Sequence, residues 1–289
     1  MTATRPPLLE SLSRLASAYD AILCDVWGVV HNGLAAAPQA TAALERFRQG
    51  GGTVMLISNA PRPGAGVVQQ LDRLGVPRTA YDGIVTSGDV TRDFIAERRG
   101  TTVHHVGPER DRSIFSALDM RFGSIEGADY VVCTGLFDDE TETPEHYRTR
   151  LEQMRSRRLQ MLCANPDLVV ERGDRLVYCA GAVADLYAAI GGDVLFAGKP
   201  HRPIYDEALA AVEAARGAPA SRARVLAIGD SVRTDLAGAS AFGVDALFIT
   251  GGIHAEELGH RDDPDLDRLG RMFAAAGVRP HAVMRSLVW

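Results

Sequence analysis

The sequence predicts an α/β fold with a parallel sheet covered on both faces. Short apolar runs alternate with longer segments of helical spacing, which is the signature of that class. The apolar runs lack polar alternation, as expected of strands buried on both sides. The middle of the chain shows the same alternation as a unit of its own.

Each element follows from a local pattern. Ala21 to Cys24 is an apolar run that leads into Asp25, and helical spacing follows from Pro38 to Arg48. Thr53 to Ile57 is a strand that ends at Ser58. A helix is expected from Gly64 to Leu74, stopped by Gly75 and Pro77. Ile84 to Thr86 is a short strand. In the middle, Thr102 to Val106, Tyr130 to Cys133 and Met161 to Cys163 read as strands. A charged helix is expected from Thr143 to Arg157, with Pro144 at its first position. The acidic patch before it, Asp138, Asp139, Glu140 and Glu142, reads as solvated surface. Asp193 to Ala197 reads as a strand, Arg202 to Arg216 as a helix and Arg224 to Ile228 as a buried strand. Thr234 to Phe242 and Arg268 to Ala276 read as helices. Asp245 to Ile249 and His281 to Met284 read as strands. Gly259 to Asp267, with Pro264, reads as an exposed loop.

The 289 residues suffice for one large domain or two ordinary ones. Apolar residues make up 46% and charged residues 24%, the balance of an ordinary globular protein. The net charge of -6 argues against nucleic acid as the main partner. No signal peptide is expected, and no run of about 18 apolar residues suggests a membrane span. Cys24, Cys133, Cys163 and Cys179 show no CxxC spacing and sit among apolar neighbours. They read as reduced, packed thiols, and a cytoplasmic location follows as the expectation. Among 31 basic residues only Lys199 is a lysine. A compact ammonium on a slim stem suits a tight site that a guanidinium would overfill.

Four polar clusters directly follow expected strands: Asp25-Val26-Trp27, Ser58-Asn59, Gly198-Lys199-Pro200, and Gly229-Asp230 with Asp235 five positions on. The carboxyl ends of strands in an open α/β sheet form its binding crevice, so all four could meet at one edge. An Asp closing a buried strand is costly unless paired or metal-bound. Oxygen-rich sites of this kind suit Mg²⁺. Plainer readings exist beside these. Asp25 and Asp230 could cap helices, and Ser58 could be a turn residue. Asp235 could complement a helix dipole. Asn165-Pro166-Asp167 is also an ordinary turn signal.

In this order the motifs resemble the haloacid-dehalogenase-like superfamily, over nearly the whole chain. Within it, the chain is similar to the branch of sugar-phosphate, nucleotide-like and pyridoxal-phosphate phosphatases. Gly28-Val29-Val30-His31-Asn32-Gly33 and Asn165-Pro166-Asp167 carry that finer likeness. The resemblance implies a doubly wound, Rossmann-like parallel-sheet core from residues 1–87 and 191–289. An α/β cap would be inserted at 88–190. It implies Asp25 as nucleophile, with Ser58 and Lys199 holding the transferring phosphoryl group. Mg²⁺ would sit on Asp25, the Trp27 backbone carbonyl and Asp230, with Asp235 supporting the metal or orienting Lys199. Asn59, Trp27, His31 and Asn165 are the candidate substrate contacts. The expected partner is a small phosphorylated substrate. A homodimer through the cap is suggested by family likeness alone.

One position departs from the pattern. Phosphatases of the family carry a second Asp two positions after the nucleophile, as general acid and base. Here that position is Trp27, and an indole has no titratable proton near neutral pH. General acid–base help is worth about 10² to 10⁴-fold. His31 is the nearest titratable residue in sequence and is expected as the substitute proton source. A catalytically impaired phosphoryl-ligand binder, and a C–P or C–halogen hydrolase using the same Asp25, are the competing expectations.

Overall fold

The computed structural model describes residues 6–172, 175–259 and 263–289. Its contacts divide the chain into two compact units. The first comprises Met1–Ser58, Val68–Val85 and Tyr205–Trp289; the second comprises Asn59–Val67 and Thr86–Ile204. Against the expected 88–190 insert, the second unit starts two residues earlier, continues through Ile204, and takes in 59–67.

The strands, in chain order, are β1 Ala21–Asp25, β2 Thr53–Ser58, β3 Gly83–Thr86, β4 Thr101–Val106, β5 Met120–Phe122, β6 Tyr130–Cys133, β7 Met161–Cys163, β8 Val169–Arg172, β9 Arg175–Tyr178, β10 Val194–Phe196, β11 Val225–Gly229, β12 Asp245–Ile249 and β13 Ala282–Met284. The first unit is built on a six-stranded sheet in the order β13-β12-β11-β1-β2-β3. The β1–β2, β1–β11, β11–β12 and β12–β13 pairs are all parallel. Counted along this sheet alone, that is the doubly wound order 3-2-1-4-5-6. Its direction of winding reverses between β1 and β11, and the crevice at such a switch point is where ligands bind. Every residue of β1, β2 and β11 is buried, as the unalternating apolar runs predicted.

The second unit has a five-stranded sheet, β10-β7-β6-β4-β5, parallel throughout. Its core packs Val131, Cys133, Met161 and Cys163 against Leu151, Met154, Val183 and Tyr187. A two-stranded antiparallel hairpin, β8–β9, completes it.

Several expectations need correction. The strand before Lys199 was placed in the core range, yet β10 pairs with β7 in the second sheet. Its three half-buried residues could edge either sheet, and only pairing decides which. The helix expected from Thr234 opens with a π-helical turn, Val232–Leu236, and becomes regular at Ala237–Phe242. The helix expected over Thr143–Arg157 opens with a 3₁₀ turn, Pro144–Tyr147, closed by a reciprocal Thr143–His146 cap. The acidic patch is not plain solvated surface: Asp139 has a side chain only 10% exposed and is bound by Arg110 and Arg172. Its neighbour Glu142 accepts the Tyr147 hydroxyl at 2.5 Å. Of the expected loop 259–267, residues 260–262 lie outside the described residues, and Asp265 caps a helix that begins at Leu266. All four cysteines are buried and free. Among the described residues no helix is long and apolar enough to cross a membrane.

Candidate active site

In the first unit, β1 ends at Asp25, and Asp230 directly follows the last residue of β11. The parallel register aligns Cys24 with Ile228, so both aspartates leave the sheet at its carboxyl edge, on either side of the switch point. The π-turn then carries Asp235 back toward them. One carboxylate oxygen from each of Asp25, Asp230 and Asp235 lies within 4.8 Å of the others, and all three residues are buried.

Backbone N–H groups orient each carboxylate. Asp25 Oδ1 accepts from Val26 at 2.7 Å, Asp235 Oδ2 from Ser231 at 3.1 Å, and Asp230 Oδ2 from Ile253 at 2.8 Å. The chain can approach Asp230 this closely only because Gly28 and Gly252 lack side chains. A Cβ on either would stand 1.9 Å from Asp230 Oδ2. Gly28 also has φ of +83°, a conformation that side chains resist. The helix-cap alternative for Asp230 falls away, because Ser231 occupies that position and its Oγ accepts from Thr234 N–H at 3.3 Å.

Three carboxylates this close repel one another unless a counter-charge or a shared proton relieves them. The donor set is oxygen alone and buried, which fits a small hard divalent cation. Asp25, Asp230 and Asp235 are the residues that could hold it. Sequence reasoning gave Asp235 a supporting place; the geometry puts its carboxylate in the same group as the other two.

Ser58 closes β2 beside β1, one position beyond the Ile57 that pairs with Asp25. It is 8% exposed. After β1 the chain makes a tight turn, with Val30 and His31 N–H groups both reaching the Val26 carbonyl. Trp27 lies on this turn, edge-on to the His31 ring at 5.0 Å. A side chain on Gly33 would collide with the indole, 2.6 Å from its nearest ring atom. Trp27 therefore packs into the loop that follows the nucleophile position.

The structure corrects the expectation for His31. Its ring is 3% exposed, and burial pulls its pKa down to about 4. Its Nδ1 accepts the Gly33 N–H at 2.9 Å. Near neutral pH the ring is uncharged and engaged with its own loop, so it does not offer an acid that titrates in the working range.

Lys199 is buried in the second unit. Its cluster follows β10 rather than a strand of the first sheet, so only three of the four clusters share one sheet edge. Asn59 brackets the Lys199 peptide. The Asn59 Oδ1 accepts the Lys199 N–H at 2.7 Å, and its Nδ2 donates to the Lys199 carbonyl at 3.1 Å and to Asp167 Oδ1 at 2.9 Å. These bonds engage both ends of the Asn59 amide, which makes it a clamp on Lys199 rather than a substrate contact. Asn165 accepts the Asp167 N–H at 3.0 Å, the turn geometry its sequence also suggested.

Sequence reasoning missed His254 and Glu257, in the loop after β12. His254 Nε2 accepts the Val232 N–H at 3.3 Å, while its Nδ1 meets Glu257 Oε2 at 2.6 Å. A His and a Glu three apart near a double glycine was the available signal.

Comparison with known proteins places the chain. A profile of haloacid dehalogenase-like hydrolases matches residues 22–121, and a HAD-hydrolase-like profile matches residues 196–287. A haloacid dehalogenase-like hydrolase from Brucella suis is similar at TM-score 0.86 and 52% identity, over 97% of this chain and 100% of that one. A possible sugar phosphatase from Cytophaga hutchinsonii shares the fold at TM-score 0.78 and 20% identity, over 97% and 98% of the two chains. A glycerol phosphate phosphatase from Mycobacterium tuberculosis, solved with calcium, is similar at TM-score 0.63 and 25% identity, over 83% of this chain and 68% of that one. No curated protein matches the sequence.

Proposed function

Because the chain belongs to the haloacid-dehalogenase-like family of hydrolases, we propose that it hydrolyses the phosphoric monoester of a small metabolite through Asp25, with Mg²⁺. One observation carries this reading. Three buried aspartates lie within 4.8 Å of one another, and two of them flank the switch point of a parallel sheet.

Asp25 attacks phosphorus and forms an aspartyl-phosphate, while the P–O bond to the leaving group breaks. Water then attacks the phosphorus and releases phosphate, restoring the carboxylate. The covalent route divides one difficult step into two easier ones. Ser58 donates its hydroxyl hydrogen to a phosphoryl oxygen, and the Lys199 ammonium, positioned through the Asn59 clamp, binds another. Asp230 and Asp235 hold the cation together with Asp25 and the Trp27 carbonyl. When bound, Mg²⁺ supplies positive charge against the phosphoryl oxygens, where most phosphoryl-transfer catalysis lies. The second unit supplies the contacts that choose the substrate, in the manner of a cap.

Trp27 provides no proton for the leaving group, and His31, held neutral by burial, does not replace it. The reading therefore favours substrates whose leaving oxygen departs without a proton from these residues. The same feature supports the second reading, a phosphoryl-ligand binder with little turnover.

The test is a screen of phosphorylated metabolites, haloacids and phosphonates against the full chain, with and without Mg²⁺. Magnesium-dependent phosphate release that disappears in Asp25→Asn is the expected result. Tight ligand binding without release points to the binder. Product from a haloacid or a phosphonate points to the C–halogen or C–P reaction instead.

A further inference from the structure

Asp25 and Asp235 each take an orienting N–H from within four residues of themselves. Asp230 takes its own from Ile253, 23 positions away. Its orientation therefore depends on a separate loop staying in place. That loop, from Thr250 to Gly259, contains neither strand nor regular helix, so no ladder of backbone bonds holds it against the Asp230 segment.

A side-chain strap does so. His254, next to Ile253, accepts the N–H of Val232, the first residue of the π-turn, at 3.3 Å. Since Nε2 accepts, Nδ1 carries the ring hydrogen and donates it to Glu257 Oε2 at 2.6 Å. The Leu258 N–H returns to the His254 carbonyl at 3.0 Å and closes the turn around the pair. The loop thus grips the Asp230 segment twice, on the carboxylate and on the backbone two residues later.

We propose that His254, held by Glu257, is a positioning residue for Asp230, and through it for the divalent cation of the carboxylate group. This rests on the cation reading above and extends it to residues that touch neither cation nor substrate. Groups that orient a ligand without binding the metal are worth about 10- to 100-fold in metal affinity. His254 lies at the lower end of that range, because it acts through a loop and its side chain is 22% exposed.

The experiment titrates magnesium alone into the full-length protein by calorimetry. It is paired with phosphate release from a p-nitrophenyl ester at varied magnesium. His254→Leu removes the acceptor and is expected to weaken magnesium binding about tenfold, with kcat at saturating magnesium little changed. His254→Gln places a carbonyl oxygen where Nε2 stood and is expected to restore affinity to within about threefold of wild type. Glu257→Ala, at a side chain 66% exposed, is expected to weaken binding by about threefold. It keeps the test alive if His254→Leu does not fold, and an unchanged affinity in Glu257→Ala then overturns the proposal.

Wild-type affinity in a folded His254→Leu chain overturns it as well. So does a His254→Gln chain as weak as His254→Leu, since the acceptor would then not be what matters. A wild-type chain that takes up no magnesium removes the cation reading itself, and the strap with it. A wild-type chain that binds, beside variants that bind equally, removes the strap alone.

Discussion

In the first unit, the carboxyl ends of β1 and β11 gather three buried aspartates whose oxygens lie within 4.8 Å. In the second unit, the same ends of β4 and β6 lead to one buried aspartate, Asp111, in company with Thr134 and His105. His105 Nε2 and Thr134 Oγ1 are 2.9 Å apart, and Thr134 also hydrogen-bonds Asp111. The other low-exposure aspartate of that unit, Asp139, is clamped by the Arg110 and Arg172 guanidiniums. Both sheets are parallel, and both present strand ends to a crevice. What separates them is whether negative charge is concentrated or answered in place. Clustered like charges call for a cation from outside, whereas an aspartate among arginines and hydroxyls is already part of a finished structure.

That contrast can be broken at several points. The largest effect is expected at the nucleophile. Asp25→Asn should lower phosphate release by roughly 10⁴-fold or more, measured in single- and multiple-turnover assays. Surviving turnover would move the chemistry away from the three-aspartate edge. Next comes Trp27→Asp, which restores a titratable group two positions after Asp25. It should raise turnover of phosphate esters by about 10²-fold, the low end of general acid–base assistance. The indole also packs against Gly33 and His31, so the variant's folding is checked by circular dichroism. A folded variant no faster than wild type shows that the missing acid is not what limits the rate.

In the second unit, the effect should fall on stability and follow pH. Burial holds the Asp111 carboxyl up at about 6, against an ordinary 3.8. The native state then binds that proton more tightly than the unfolded chain. Stability from this group is complete below about pH 4 and is lost as pH rises through 6. Asp111→Asn should therefore stabilise the protein by up to about 3 kcal/mol at pH 8 relative to pH 4, read by urea unfolding at both. Equal stability of variant and wild type at pH 8 would mean that Asp111 is as well compensated as Asp139. The smallest effect is expected at His31. With a pKa of about 4, His31→Gln should change kcat by no more than roughly twofold between pH 6 and 8. Loss of an acidic limb from the pH–rate profile would return His31 to the reaction.

Much of the first unit was legible residue by residue. Asp25 and Ser58 close apolar runs that could only be buried strands, and polar groups at such ends need a reason. Gly229-Asp230 repeats the pattern at β11. The hairpin β8–β9 was missed, although Gly173-Asp174 between Val169–Arg172 and Arg175–Tyr178 is a turn signal flanked by strand-forming residues. Asp139 was misread because an acidic run looks solvated until its arginines arrive, one 29 positions before it and one 33 after. The His254–Glu257 strap left no more than a faint trace, since its purpose depends on where Val232 lies.

By itself, the sequence determined which segments are strands and helices, which polar residues close the buried strands, and that one lysine stands apart from thirty arginines. These follow from periodicity and strand-end chemistry, which act over a few residues. Tertiary structure alone decided that β10 joins the second sheet and that Asp235 swings back on a π-turn to within 4.8 Å of Asp25 and Asp230. It also decided that Ile253 orients Asp230. Each of those depends on partners far apart in the chain, and which distant partners meet is settled when all the strands and loops compete for the same core.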